Sequence, residues 1–145
     1  MIIREATIED IRSMQEIRNS VTENALSDPS LITYEDYKEY ITGLGKGWVG
    51  IIDGEVAGFA IVSVPNCNVW ALFIDRAFEG SGLAQRLHDA MIDWYFRQTQ
   101  KTLWLSTWPG TRAEYFYRKN KWIEVGMHGK EIKFEMRFEE RQDNT

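Results

Sequence analysis

Residues 79–84, Glu-Gly-Ser-Gly-Leu-Ala, lie between an apolar run that ends at Ile74 and a helical pattern that begins at Leu83. Two of these positions carry no side chain, so the backbone can come close to a ligand. The first turn of a helix adds unpaired N–H groups and a partial positive charge. The chemistry this stretch supports is anion binding. Two phosphate loops are excluded by spacing. A dinucleotide fingerprint needs a third glycine where Gln85 stands, and the chain has no room for a second mononucleotide half. A Walker A loop needs Gly-Lys-Ser/Thr, which is absent. A tight strand-to-helix turn with nothing bound is the plain alternative.

Tyr117 is the second residue of chemical interest, on a short helix opened by Thr111-x-x-Glu114. A phenol with a pKa of about 10 can donate a proton. Phe116 and Tyr117 close to Trp122 also read as core packing, and the residues alone leave both readings open. His88 and His128 have no partner at ligand spacing, so no metal site is expected, and His88 beside Asp89 reads as surface. Cys67, in a turn, reads as an ordinary thiol. Trp48, Trp70, Trp104 and Trp108 could line an amine pocket by cation–π contact, with at least two of the four expected in the core.

The elements that must position these residues follow from periodicity. A chain of 145 residues, 43% hydrophobic, can bury a core without disulfides, and its one cysteine allows no internal pair. The net charge of −5 and the scattered Lys and Arg exclude the basic stripe of a nucleic-acid binder. No apolar run approaches the ~20 residues that span a bilayer, and the charged start lacks a signal-peptide core, so a cytoplasmic setting without membrane is expected.

"IIREAT" reads as a strand, and Thr7-x-x-Asp10 caps a helix over residues 8–22 with Ile11, Met14, Ile17 or Arg18, and Val21 on its apolar stripe. The pattern breaks around Pro29, and Thr33-x-x-Asp36 opens a shorter helix carrying Tyr37, Tyr40, Ile41 and Leu44. A hairpin turns at Asp53-Gly54, a third strand covers "VWALFI", and a helix runs over 83–98. "TLWLSTW", the Tyr117 helix and two strands around His128-Gly129 complete the order β-α-α-β-β-β-α-β-α-β-β. The reading is an α/β domain over residues 1–138, with a mixed, mostly antiparallel sheet flanked by helices on both faces; residues 139–145 read as a frayed tail.

With this strand order, residues 79–84 resemble motif A of the GCN5-related N-acetyltransferases, the GNAT superfamily, whose loop reads Q/R-x-x-G-x-G/A; Gly82 and Ala84 match. Residues 111–122 resemble the family's motif B, A-x-x-φ-Y-x-K-x-G-F, through Ala113, Phe116, Tyr117, Lys119 and Trp122. The resemblance implies a parallel strand pair that splays apart. It implies acetyl-CoA as acetyl donor, without metal. The pyrophosphate would lie on the backbone of Glu79, Gly80, Ser81, Gly82, Leu83 and Ala84, and the pantetheine arm on Leu72, Phe73 and Ile74. Tyr117 would stand by the sulfur as proton donor, and a backbone N–H of strand 69–74 would hold the oxyanion.

Three departures stand out: Glu79 where the family has Gln or Arg, Lys121 in place of the motif B glycine, and Gly110 where an Asn is common. The implied function is acetyl transfer from acetyl-CoA to a small-molecule or peptide amine, with a small cationic amine weakly favoured by the acidic, tyrosine-rich stretch 19–45. The alternative is a coenzyme A-binding or regulatory module with little catalysis. No general base is assigned; Glu5, Glu23 and Asp36 are acidic and N-terminal but also read as caps or solvated charges. Loss of affinity with dephospho-CoA alone would point to a basic 3′-phosphate contact at Arg118 or Lys119, and the exposed terminal strands leave a homodimer open.

Overall fold

A computed structural model describes residues 1–21 and 31–143. Seven strands form one sheet in the order β1-β2-β3-β4-β5-β7-β6. They are β1 (Ile2–Glu5), β2 (Gly45–Ile52), β3 (Glu55–Ser63), β4 (Asn68–Ile74), β5 (Leu103–Thr107), β6 (Ile123–His128) and β7 (Glu131–Met136). All neighbours pair antiparallel except β4 and β5, which are parallel. The expected mixed, mostly antiparallel sheet is therefore observed, with its crossover where the sequence places it.

Helices cover both faces. On one lie α1 (Ile11–Ser20) and α2 (Tyr34–Glu39), where Ile11, Met14, Ile17 and Tyr37 pack on Val49, Phe59 and Ile61. On the other, α3 (Leu83–Gln98) and α4 (Arg112–Lys119) set Leu83, Leu87, Met91, Tyr95 and Tyr117 against Ala60, Val62, Leu105 and Phe134. Residues 57–63 of β3 are buried without interruption because its alternate side chains enter different cores.

The helix expected over 8–22 divides into a 3₁₀ turn at Ile8–Asp10 and α1, and residue 22 lies outside the described residues. The break around Pro29 also falls outside them. Asp10 is buried, accepts the Thr7 N–H at 2.8 Å and is held by both terminal nitrogens of Arg4 at 2.8 and 2.9 Å. At the hairpin tip both Asp53 and Gly54 have positive φ, the geometry a tight two-residue turn requires. Where the sequence suggests a frayed tail, the chain forms α5 (Phe138–Asp143), and Arg141 pairs with Asp93 on α3.

Candidate active site

The site begins where β4 leaves β5. β4 pairs with β3 along its length but meets β5 only at Asn68 and Trp104. A register shift at Ile61/Val62 leaves Trp70 without a partner on β3, and the added twist of such a bulge helps the strands diverge. From Val69 to Ile74 the β5-facing edge of β4 therefore offers backbone groups to a ligand rather than to a strand.

Beyond β4, Asp75 accepts the Ala77 N–H at 2.9 Å and starts a single 3₁₀ turn at Arg76–Phe78. Gly80 and Gly82 follow at φ +79° and +87°, a conformation that side-chain-bearing residues rarely adopt. A Cβ at either position would meet no protein atom within 4 Å, so the space in front of the loop is open. Gly82 caps α3, whose first residue, Leu83, is buried.

A pair of facing glycines on β2 and β3 sets this height. A Cβ at Gly50 would stand 2.2 Å from Leu83 Cδ1, and one at Gly58 2.6 Å from Ile74 Cδ1 and 2.9 Å from the Phe73 carbonyl oxygen. Two missing side chains thus let the α3 N-terminus and β4 sit down on the sheet together.

The loop, β4 and α4 line a groove of about 880 Å³. It contains all nine expected cofactor contacts, Leu72, Phe73, Ile74, Glu79, Gly80, Ser81, Gly82, Leu83 and Ala84, together with Tyr117. Its charged lining among the described residues is Arg76, Arg112, Lys119 and Glu79, a positive excess. Glu79 turns to Arg112 at 2.8 Å, so its carboxylate is partly neutralised at the groove mouth. Arg118 does not line the groove. It is held by Glu114 at 2.8 Å and by Glu124, so of these two basic residues Lys119 lines the groove.

A second hollow of about 550 Å³ lies across β4 and shares Leu72, Phe73, Ala113 and Tyr117 with the first. Trp70, Trp104 and Trp108 line it, while of the four tryptophans considered only Trp48 is fully in the core, one fewer than expected. Trp70 stacks on Tyr40 at 4.1 Å between centroids. Sequence reasoning missed Arg18, Asn68, Ser106 and Glu131, which also face this hollow. Arg18 carried a signal, since it is a charge on the apolar stripe of α1. Of the acids considered as base, Glu5 pairs with Lys46, Asp36 caps α2 and neither lines either hollow; Glu23 lies outside the described residues.

Tyr117 sits at the junction, 6% exposed. Burial alone pushes its phenol well above the ordinary value, so it stays protonated at neutral pH. His88, expected at the surface, is buried behind it. The Trp122 indole N–H donates to His88 Nε2 at 3.0 Å, so Nδ1 carries the imidazole proton and donates to Asp89 at 2.9 Å. That bond is the main cause holding the Asp89 carboxyl below its usual value. The burial is explained by Trp122, a donor 34 residues further along the chain.

A fold of this kind, splayed at a parallel strand pair with a glycine loop at the helix start, is one that known acetyltransferases share. The model of the acetyltransferase (GNAT) family matches residues 11–122, and the chain belongs to that family. Among solved structures, an N-acetyltransferase from Staphylococcus aureus Mu50 is 18% identical with a TM-score of 0.77, covering 94% of this chain and 98% of its own. The PaiA N-acetyltransferase from Thermoplasma acidophilum, in complex with coenzyme A, is 13% identical with a TM-score of 0.77 and the same coverage. The ribosomal-protein-S18-alanine N-acetyltransferase from Escherichia coli is 17% identical with a TM-score of 0.72, covering 93% of this chain and 90% of its own. At these identities the likeness is one of fold. No curated protein matches the sequence significantly. No described helix is long and apolar enough to cross a membrane.

Proposed function

We propose that this protein transfers the acetyl group of acetyl-CoA directly to an amine, in the cytoplasm. The observation that carries the reading is the meeting of two hollows at Leu72, Phe73, Ala113 and Tyr117: one suits a long, anionic, amide-bearing donor and the other an acceptor. The donor's fit rests on the open space before Gly80 and Gly82, the α3 N-terminus and the unpaired edge of β4. Lys119 is the basic residue on hand for a further phosphate.

In the reaction the amine nitrogen bonds to the acetyl carbon as the carbon–sulfur bond breaks; the nitrogen gives up a proton and the sulfur gains one. Backbone N–H groups on the β4 edge hold the developing oxyanion. Tyr117 faces the sulfur. Because its pKa lies well above the ~8.5 of a thiol, it works chiefly by donating a hydrogen bond to the departing thiolate, which stabilises the charge before solvent protonates it. The same high pKa excludes Tyr117 as the base that takes the amine proton.

The experiment is release of free coenzyme A thiol from acetyl-CoA across a panel of amines, with mass spectrometry of the products. Acetylated amine and thiol in equal amounts support the reading. Acetyl-CoA binding with no turnover on any amine would assign the chain to a coenzyme A-binding module instead.

A further inference from the structure

The second hollow holds a charge pattern that a simple amine does not explain. Arg18, from the end of α1, lays its guanidinium over the Phe73 ring at 4.2 Å from the centroid. Its Nη1 is buried without a hydrogen-bond partner. A half-buried guanidinium with a buried, unmatched Nη1 is costly, and burial is the main influence pulling Arg18 below its ordinary value. Charges taken from water are ordinarily paired, so this site suits an anion. A cationic acceptor alone would make the cost worse.

Across the same hollow, Glu131 at the start of β7 accepts the Ser106 hydroxyl at 3.0 Å through Oε2. Glu131 and Arg18 are close enough to influence one another, yet they form no ion pair. The same hollow is lined by Asn68, whose Oδ1 is buried without a partner, and by Trp104. The lining thus holds a guanidinium with an unmatched Nη1, a carboxylate and an unpaired acceptor.

We infer that the acceptor is a free amino acid, bound as a zwitterion with its carboxylate on Arg18 and its ammonium group towards Glu131 and Asn68. This rests on the acetyl-transfer reading for its consequence, since the amine would then be the one acetylated. The recognition itself does not depend on that reading. A planar guanidinium matches a carboxylate through two parallel N–H bonds, and the Phe73 face keeps the fork in plane. The Glu131 carboxylate and the unpaired Asn68 Oδ1 are both acceptors, which suits a group with three N–H donors.

The test is direct binding. The wild-type protein is titrated, with and without saturating coenzyme A, with the twenty amino acids and with the amines that lack the carboxylate, such as phenylalanine against 2-phenylethylamine. At least one amino acid is expected to bind about tenfold or more tighter than its amine, as loss of a charge-assisted bidentate contact implies. In Arg18→Gln that ratio should fall to about one, and in Arg18→Lys it should be intermediate. A ratio is insensitive to the folded fraction, so a damaged fold cannot mimic the result. Equal binding of acid and amine, an unchanged ratio in Arg18→Gln, or no amino acid bound under either condition would overturn the inference. Acetylation of amines without carboxylate preference would overturn it while leaving the acetyl-transfer reading intact, and amino-acid binding without acetyl-CoA binding would do the reverse.

Discussion

The Trp122 N–H bonds to the Tyr117 carbonyl at 3.1 Å, and the two rings meet edge to face at 5.7 Å between centroids. The residue between this pair and the helix, Lys121, bonds back to the Arg118 carbonyl at 3.1 Å with φ at +69°. Together these contacts are a Schellman ending, in which a left-handed residue closes the helix and an apolar contact locks it. The ending fixes Tyr117 from behind, and His88 fixes Trp122 in turn.

Lys121 occupies the left-handed position that glycine takes most easily. Lys121→Gly should raise stability by about 0.5–1 kcal/mol, because relief of the left-handed strain outweighs the extra freedom of the unfolded chain. Urea unfolding followed by tryptophan fluorescence measures this. A loss of stability of the same size would mean the Lys121 side chain contributes contacts that outweigh its backbone strain.

Gly58→Ala should act at a distance from the loop it supports. The new methyl would press on the Phe73 carbonyl and Ile74, displacing β4 in a packed interior at a cost of about 1–3 kcal/mol. The measurement is a pair of titrations, denaturant and acetyl-CoA, on wild type and variant under conditions where both are folded. Weaker acetyl-CoA binding is expected with the loss of stability. Full affinity in a destabilised variant would show that β4 height does not govern the groove.

Acid should weaken the fold through Asp10 and Asp89. The Arg4 hydrogen bonds hold Asp10 below its ordinary value, and the His88 bond does the same for Asp89. A carboxyl depressed in the folded state contributes stability that is complete above its unfolded pKa of about 3.9. That stability is lost as pH falls through the lower folded value. Unfolding free energy measured from pH 6 to pH 2.5 should therefore decline below about pH 4, and Asp10→Asn should be less stable at pH 7 by about 1–2 kcal/mol with a shallower decline. Parallel curves for the two proteins would remove Asp10 from the explanation.

Much of the scaffold was legible because its signals are local. Thr33-x-x-Asp36, Asp53-Gly54 and the glycines at 80 and 82 each announce a backbone geometry that few other residues accept, and each adopts it. Alternation and helical spacing sufficed for the element order as far as β7. The second hollow was not legible because it is assembled across the sheet: Arg18 stands on a stripe otherwise apolar, and most of the rest of the lining comes from β4, β5 and Glu131, more than a hundred positions later. His88 was misread for the same reason, since only folding brings Trp122 to its ring. The splay itself depends on where β4 parts from β5, which no run of residues announces.

In the proposed reaction the groove along β4 receives acetyl-CoA with its thioester at Tyr117. Calorimetric titration of acetyl-CoA into the wild-type protein and into Tyr117→Phe, with steady-state turnover of both, tests it most directly. Saturable binding of similar affinity is expected in the two proteins, with turnover in Tyr117→Phe lower by about 10²-fold. No saturable binding to the wild type, or unchanged turnover in the variant, would contradict it.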